Sequence, residues 1–263
     1  MGLKVLYVIT GLERGGAENA LLRLLKKIDR KKYSPAIASL VGGDLEAEFR
    51  KLAKVTILNA KKITDALRAV KKIRTIIKNE KIDIVHSYLY HANIIARLAA
   101  VGTKAKVISS IRIKEIKKRS HNCADRLTQR LVTHYTAVSE SVKKFMIAYG
   151  IPESKITTIP NGIDLEEFKI KISKTEKRKS LGIPERAPII ISVANLRKTK
   201  DYPTLFEALA QVRKKHKAEL LVVGRGEAEK EYRKKAEQEG VMSATRFLGY
   251  RPDVKELIAI SDV

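Results

Sequence analysis

Short apolar runs alternating with stretches of helical period set the limits on what this chain can fold into. Leu3–Ile9, Pro35–Val41, Val55–Leu58, Ile82–His86, Lys106–Ile111, Tyr135–Val138 and Lys155–Ile159 read as strands. They lack the apolar–polar alternation of a strand with one wet face, so both faces of their sheet are expected to be covered. Between them, apolar residues fall at helical spacing. Ala66, Ala69, Val70, Ile73, Ile76 and Ile77 form one such stripe. Repetition of this kind builds a parallel sheet with helices on both faces, an α/β doubly wound layout.

The rhythm breaks after "IPNGID", residues 159–164, where Leu165 to Gly182 is highly charged and poor in apolar residues. It restarts with strands over Pro188–Ala194, Glu219–Gly224 and Thr245–Leu248 and helices over Thr204–Lys214, Ala228–Gln238 and Val254–Ala259. Two Rossmann-like domains are therefore expected, residues 1–165 and 166–263, a division that the length of 263 residues allows. The second shows three strands and stops at Ser261–Val263, inside what should become a fourth. Its open sheet edge is expected to be less stable and free to pair with another chain. The oligomeric state is left open.

Apolar residues make up 44% of the chain, enough for real cores. No apolar run reaches the roughly 18 to 20 residues that span a bilayer. The N-terminal apolar stretch, Leu3–Ile9, is too short for a secretory signal and precedes no small-residue cleavage site. A single cysteine, Cys123, excludes an internal disulfide framework and fits a reducing cytoplasm. The net charge is +25, unevenly spread: residues 1–165 carry 32 basic against 14 acidic side chains, and 166–263 carry 22 against 15. Such an excess attracts polyanions, meaning an anionic membrane face or nucleic acid. With no Trp and no basic strand interleaved with aromatics, a single-strand nucleic-acid platform is disfavoured.

Two glycine-lined turns follow strands. The first, "TGLERGGAEN", carries Gly11, Gly15 and Gly16. This is not the G-x-G-x-x-G spacing of a dinucleotide fingerprint, and no acidic residue closes the second strand, so a nicotinamide site is disfavoured. No G-K-[ST] occurs, which removes the P-loop. What remains is a strand-to-helix turn whose free N–H groups can meet an anion or a sugar hydroxyl. The second turn, "LLVVGRGEAE", carries Gly224 and Gly226, which would let backbone come close to a ligand. Upstream, "VANLRKTKDYPTL" places Arg197, Lys198 and Lys200 between a strand and a helix, a candidate diphosphate clamp.

Taken in order, these pieces resemble the GT-B glycosyltransferases of the large retaining family 4. The resemblance rests on Gly15-Gly16-Ala17-Glu18 after the first strand, Asp83-Ile84-Val85-His86-Ser87 at the fourth, and the complete I-P-N-G-I-D turn at Ile159–Asp164. Leu196 with Lys200, Val222–Glu227 and Arg246–Arg251 continue it through the second domain. It implies retaining transfer from a nucleotide diphosphate sugar without a metal or cofactor, with the donor on the second domain and the acceptor on the first. Lys200 and Arg197 would stabilise charge on the departing diphosphate. Gly16, Asn195, Gly224 and Gly226 are the remaining donor-side candidates, and Gly15, Glu18 and Tyr88 the acceptor-side ones. The family has an arginine where this chain has Asn195, and a histidine where it has Tyr88, which leaves His86 and His91 as the catalytic candidates.

The expected acceptor is a lipid-linked or glycan molecule in surface polysaccharide synthesis. The expected location is cytoplasmic, peripheral on the inner membrane face. Basic residues of the helix around 65–78 and the group Lys114, Lys117, Lys118 and Arg119 would meet anionic lipid. The family's paired glutamates do not occur before Val263, so the chain as given is expected not to turn over. A sugar-nucleotide epimerase or phosphorylase of the same fold and a non-catalytic basic module are the competing readings, and the I-P-N-G-I-D turn favours the transferase.

Overall fold

A computed structural model describes the backbone of residues 2–113 and 119–263, and their side chains apart from 119–123. The basic group at Lys114, Lys117 and Lys118, with the Arg119 side chain, lies outside the described residues. The chain forms two units, Met1–Ile163 and Asp164–Val263, divided two residues before the expected boundary.

In the first unit the strands are β1 (Leu3–Ile9), β2 (Tyr33–Ser39), β3 (Lys54–Ile57), β4 (Ile84–Tyr88), β5 (Lys106–Ile111), β6 (His134–Ala137) and β7 (Ile156–Thr158). Its helices are α1 (Gly16–Lys27), α2 (Glu46–Arg50), α3 (Ala66–Glu80), α4 (Tyr90–Ala100), α5 (Arg119–Thr128) and α6 (Glu140–Ala148). All seven strands pair in parallel in the order β3-β2-β1-β4-β5-β6-β7. The chain thus builds outward from β1 to β3 and then returns to β4 on the other side. β4 starts two residues later than expected and reaches Tyr88, because Lys81 closes α3 in the left-handed conformation at φ 54° and Ile82 belongs to that cap.

Side chains of β1 alternate between two cores. Val5, Tyr7 and Ile9 face Leu21, Leu22 and Leu25 of α1, whereas Leu6 and Val8 face Ala69, Ile73 and Ile77 of α3 and Ala92 and Ala96 of α4. Each fully buried leucine contributes about 1.5–3 kcal/mol. Among the described residues one charged side chain is completely enclosed. Arg97 on α4 is 0% exposed and donates to Ser109 Oγ at 3.2 Å, Asp125 Oδ1 at 2.7 Å and Thr128 Oγ1 at 3.2 Å, with its guanidinium 5.6 Å from the Tyr135 ring. The pair ties α5 to α4 and β5.

The second unit holds α7 (Lys174–Ser180), β8 (Ile189–Val193), α8 (Tyr202–Arg213), β9 (Glu219–Val223), α9 (Glu229–Gln238), β10 (Thr245–Gly249) and α10 (Val254–Ile260), with sheet order β10-β9-β8, all parallel. β9 is buried throughout. Leu220 and Val222 pack with Tyr202, Phe206 and Tyr232, and Leu221 and Val223 with Leu257 and Ile260. The edge of β8 away from β9 is met by Asp262 and Val263: Asp262 N–H donates to Ile189 O and Ile191 N–H to Val263 O, each at 2.8 Å. The charged stretch after residue 165 is not featureless. Ser173 caps α7 by accepting from Glu176 N at 3.3 Å, and Lys177 pairs with Asp253 at 2.6 Å and Glu256 at 2.5 Å.

Asp125→Ala leaves the Arg97 charge enclosed without its carboxylate. It is expected to destabilise the first unit by about 3–5 kcal/mol, whereas the paired change Arg97→Met with Asp125→Leu is expected to cost less. Urea unfolding followed by circular dichroism measures both.

Candidate active site

The carboxyl ends of β1 and β4 adjoin where the strand order reverses, the place at which an open α/β sheet leaves a crevice. A cavity of about 1230 Å³ lies there, lined by Thr10 and Glu13 after β1, Val41, Gly42 and Glu46 after β2, Asn59–Ile63 after β3, and Tyr90, His91, Ile94 and Ile95 at the start of α4. Its walls are mainly apolar, with Lys61, Lys62, Arg50 and the two glutamates as charged groups. Entry to α4 is strained. Leu89 sits at φ 71° and ψ 158°, a conformation that L-residues rarely adopt. Holding Leu89 there turns Tyr90 and His91 onto the cavity.

The two candidate histidines have different surroundings. His91 is exposed on the cavity wall, in edge contact with Tyr90 at 5.2 Å. His86 lies in the sheet, stacked on Tyr88 at 4.7 Å and 5.6 Å from the Tyr7 ring. Its Nε2 meets Ser110 Oγ at 2.8 Å, and Ser110 Oγ meets Thr136 Oγ1 at 2.6 Å. These residues occupy neighbouring strands β4, β5 and β6, so the sheet itself holds the relay. Burial, assisted by the Arg112 charge, pushes the His86 imidazole down to about 4, and it is neutral at physiological pH. Tyr88 is 4% exposed, and burial pushes its phenol up to about 12.

Arg112, just after β5, brings several of the candidates together. Its guanidinium lies 5.6 Å from the Tyr88 ring centre and donates to Asn161 Oδ1 of the I-P-N-G-I-D turn. Arg23 of α1 reaches the same turn at Gly162 O, 3.4 Å away. Glu18, in the first turn of α1, is 8% exposed, and burial raises its carboxyl above the usual range against the opposing effects of its own backbone hydrogen bond and Arg112. Its carboxylate lies over Gly15, the N-cap of α1, where a Cβ would come within 2.3 Å of Glu18 Oε2. Gly16 has nothing within 4 Å of its Cβ position and presents open space. Gly15, Glu18, Tyr88 and His86 thus form one cluster, and His91 belongs to the cavity.

In the second unit the candidates sit on two loops clipped together. Leu196 N–H donates to Arg225 O at 3.0 Å and Ala228 N–H to Leu196 O at 3.1 Å, with the Leu196 side chain buried. The close approach that Gly224 and Gly226 permit is to this neighbouring loop. A Cβ at Gly224 would lie 2.0 Å from Ala194 O, and one at Gly226 2.2 Å from Leu196 O. Tyr232 Oη donates to Arg197 O at 2.7 Å, fixing the next residue as well. Asn195, Arg197 and Lys200 are exposed on the loop so braced, ahead of α8. Among the described residues neither Arg197 nor Lys200 has an acidic partner, whereas Lys198 pairs with Glu231 at 3.2 Å.

Two units, each a parallel sheet with an apolar core on either face, are the layout of the GT-B fold. The family described as Glycosyltransferase Family 4 matches residues 14–167 and that described as Glycosyl transferases group 1 matches 173–263. The chain belongs to glycosyltransferase family 4. It is 27% identical to EpsF of Bacillus subtilis (strain 168), named as a glycosyltransferase, over 99% of this chain and 72% of that protein. It is 25% identical to the UDP-Gal:alpha-D-GlcNAc-diphosphoundecaprenol alpha-1,3-galactosyltransferase of Escherichia coli over 75% of this chain and 54% of that one. Its fold is similar to that of Anabaena HepE solved with UDP, with a TM-score of 0.80 at 20% identity, covering 99% and 72% of the two chains. Membership in the transferase family sets the epimerase reading aside.

Sequence reasoning missed Arg112, Lys61, Lys62 and Gly43. A Cβ at Gly43 would lie 2.3 Å from the Leu12 carbonyl carbon, so this glycine lets the β2–α2 loop reach the loop after β1. The Gly42-Gly43 pair after a strand was the available signal. Gly224→Ala is expected to cost at least about 1–3 kcal/mol from its backbone conformation at φ 137°, with the carbonyl overlap added. Gly16→Ala should stay within about 0.5 kcal/mol of wild type. Thermal unfolding of the two variants tests the contrast.

Proposed function

We propose that the protein transfers a sugar from a nucleotide diphosphate sugar to a lipid-linked glycan acceptor in surface polysaccharide synthesis, with retention at the anomeric carbon and no metal. The observation that carries this reading is the braced loop with Arg197 and Lys200 exposed and lacking acidic partners. A diphosphate leaving group gains two charged hydrogen-bond donors there, without the loop having to reorganise. Asn195 adds an amide beside them, and the N-terminus of α8 adds backbone N–H groups. The acceptor reading draws on the apolar cavity with its lysine rim, which suits a molecule with a hydrocarbon end and a phosphate. It also draws on the similarity to a galactosyltransferase whose acceptor is named as a diphosphoundecaprenol.

Within this reading His91 contacts the acceptor sugar, and His86 acts through Tyr88 and Ser110 by holding the strand end in place. Gly16 offers room at the first turn of α1 for a donor or acceptor hydroxyl. The protein works at the cytoplasmic face of a membrane, attached peripherally through its basic surface. No helix among the described residues is long and apolar enough to cross one.

Calorimetry with UDP, GDP, dTDP and NAD tests the donor site directly and does not depend on turnover. One nucleoside diphosphate is expected to bind, and NAD is not. Lys200→Ala is expected to weaken that binding by about tenfold to a hundredfold, the loss of a charged hydrogen bond of about 1.5–3 kcal/mol. Equal affinity in the variant removes Lys200 from the site, and preference for NAD removes the transferase reading.

A further inference from the structure

The segment between β3 and α3 carries apolar side chains that the protein itself does not use. It passes Asn59 at φ 54° and enters α3 through a 3-10 turn, Ile63–Asp65. Asp65 stitches it together: its Oδ2 accepts from the N–H groups of Lys61 and Lys62 at 3.1 and 3.0 Å, and its Oδ1 pairs with Arg68 at 3.0 Å. The turn is therefore a built structure and not a loose loop. On it Ile63 is 93% exposed, the most exposed of the large apolar side chains among the described residues, and Leu67, four residues on, is 76% exposed. The core stripe of α3 is Ala69, Ile73 and Ile77, so Leu67 stands off the face that holds the helix to the sheet. Five basic side chains, Lys61, Lys62, Arg68, Lys71 and Lys72, accompany the two apolar ones, against one acidic, Asp65.

Two apolar tips within a basic collar match the chemistry of a bilayer surface, where hydrocarbon begins just below a layer of phosphate. We propose that this turn is a membrane-insertion tip, with Ile63 and Leu67 entering the headgroup–acyl boundary of an anionic bilayer while the basic side chains rest on lipid phosphates. The inference deepens the peripheral attachment proposed above and rests on it for the bilayer as occupant. It differs in requiring apolar insertion at one place. Its consequence concerns the cavity. Lys61, Lys62 and Ile63 also line the crevice that holds Tyr90 and His91. Insertion therefore sets the mouth of that crevice on the lipid surface, and a lipid-linked molecule can enter without its hydrocarbon crossing water.

The chain contains no tryptophan, so Ile63→Trp introduces a single indole at a site outside the core. The full chain with this change is titrated with vesicles of phosphatidylcholine alone or mixed with phosphatidylglycerol. Leu3→Trp, at the amino end of β1 and so across the sheet from the cavity, serves as control. The expected result is a blue-shifted emission from the I63W variant with the mixed vesicles only, quenched by lipids brominated near the headgroup, and no change from the L3W variant. Ile63→Asp with Leu67→Asp is expected to lower co-sedimentation with the mixed vesicles by about tenfold or more, the ratio that about 1.4 kcal/mol represents. Co-sedimentation of the I63W variant with unchanged emission overturns insertion and leaves electrostatic attachment standing. Absence of co-sedimentation overturns both. An emission shift of the I63W variant that grows with protein concentration without vesicles assigns the tip to a second copy and overturns the proposal.

Discussion

Parallel pairing is the constraint from which the site follows. With seven strands pointing one way, every strand-to-helix connection of the first unit crosses the same edge of the sheet. The helix after β1 packs on one face, against Val5, Tyr7 and Ile9, and the helix after β4 packs on the other, against Leu6 and Val8. Two adjacent strands therefore send their chains in opposite directions, and no crossover fills the gap above them. The cavity with Thr10, Glu13, Tyr90 and His91 is that gap. In the second unit the same rule brings the loops after β8 and β9 side by side, close enough that only glycine at 224 and 226 fits against the neighbouring carbonyls.

Three polar side chains inside the first sheet satisfy one another without charge changes. His86, Ser110 and Thr136 face the same side on three successive strands, and their bonds run across the sheet as the backbone ladder does. Protonating His86 would place a charge among Tyr7, Tyr88 and the nearby Arg112, which is why its imidazole is held neutral. The sign matters for stability. A histidine whose folded value is depressed favours unfolding as the pH falls below its ordinary value near 6.5, because only the unfolded chain takes up the proton freely. His86 is thus a fixed strut of the strand end, and the histidine left on the cavity is His91.

Most of the fold was legible in the sequence because buried parallel strands are continuous apolar runs with little else to resemble. Among the described residues the ten strands fall on or beside those runs, with β2 beginning and ending two residues early and β4 shifted toward Tyr88 by the cap at Lys81. α7 was not legible, since Lys174–Ser180 contains no apolar residue and hydrophobic period is the wrong signal for it. It is held by charge: Lys177 to Asp253 and Glu256, and Arg178 to Glu185 O and Ala187 O at 2.7 and 3.0 Å. The local signal was the Ser173-x-x-Glu176 spacing of a capped helix start. At the site, motifs carried Gly15, His86, Lys200 and Gly224. Arg112 had no motif to announce it, because its importance comes from three partners, Glu18, Tyr88 and Asn161, that only the folded chain brings together.

In a chain with 54 basic and 29 acidic side chains, 25 basic ones are left over even when every acid takes a partner, so an unpaired cation alone marks nothing. What distinguishes Arg197 and Lys200 is the stiffness of the backbone that carries them. Leu196 is buried, its N–H and carbonyl are both bonded to the β9 loop, and the Arg197 carbonyl is held by Tyr232. Contrast Arg251, whose guanidinium is neutralised by Asp253 at 2.5 Å, and Lys177, shared between two carboxylates. Those pairs hold Asp253 well below the usual carboxylate range and serve the packing of α7 on α10. Charge that is rigidly placed and left unneutralised raises the energy of the empty protein slightly, and an arriving anion recovers that energy without first breaking a pair. The same reasoning separates the turn at Ile63 from ordinary exposed apolar residues: Asp65 fixes its backbone, and a fixed surface has little conformational entropy left to lose when a ligand covers it.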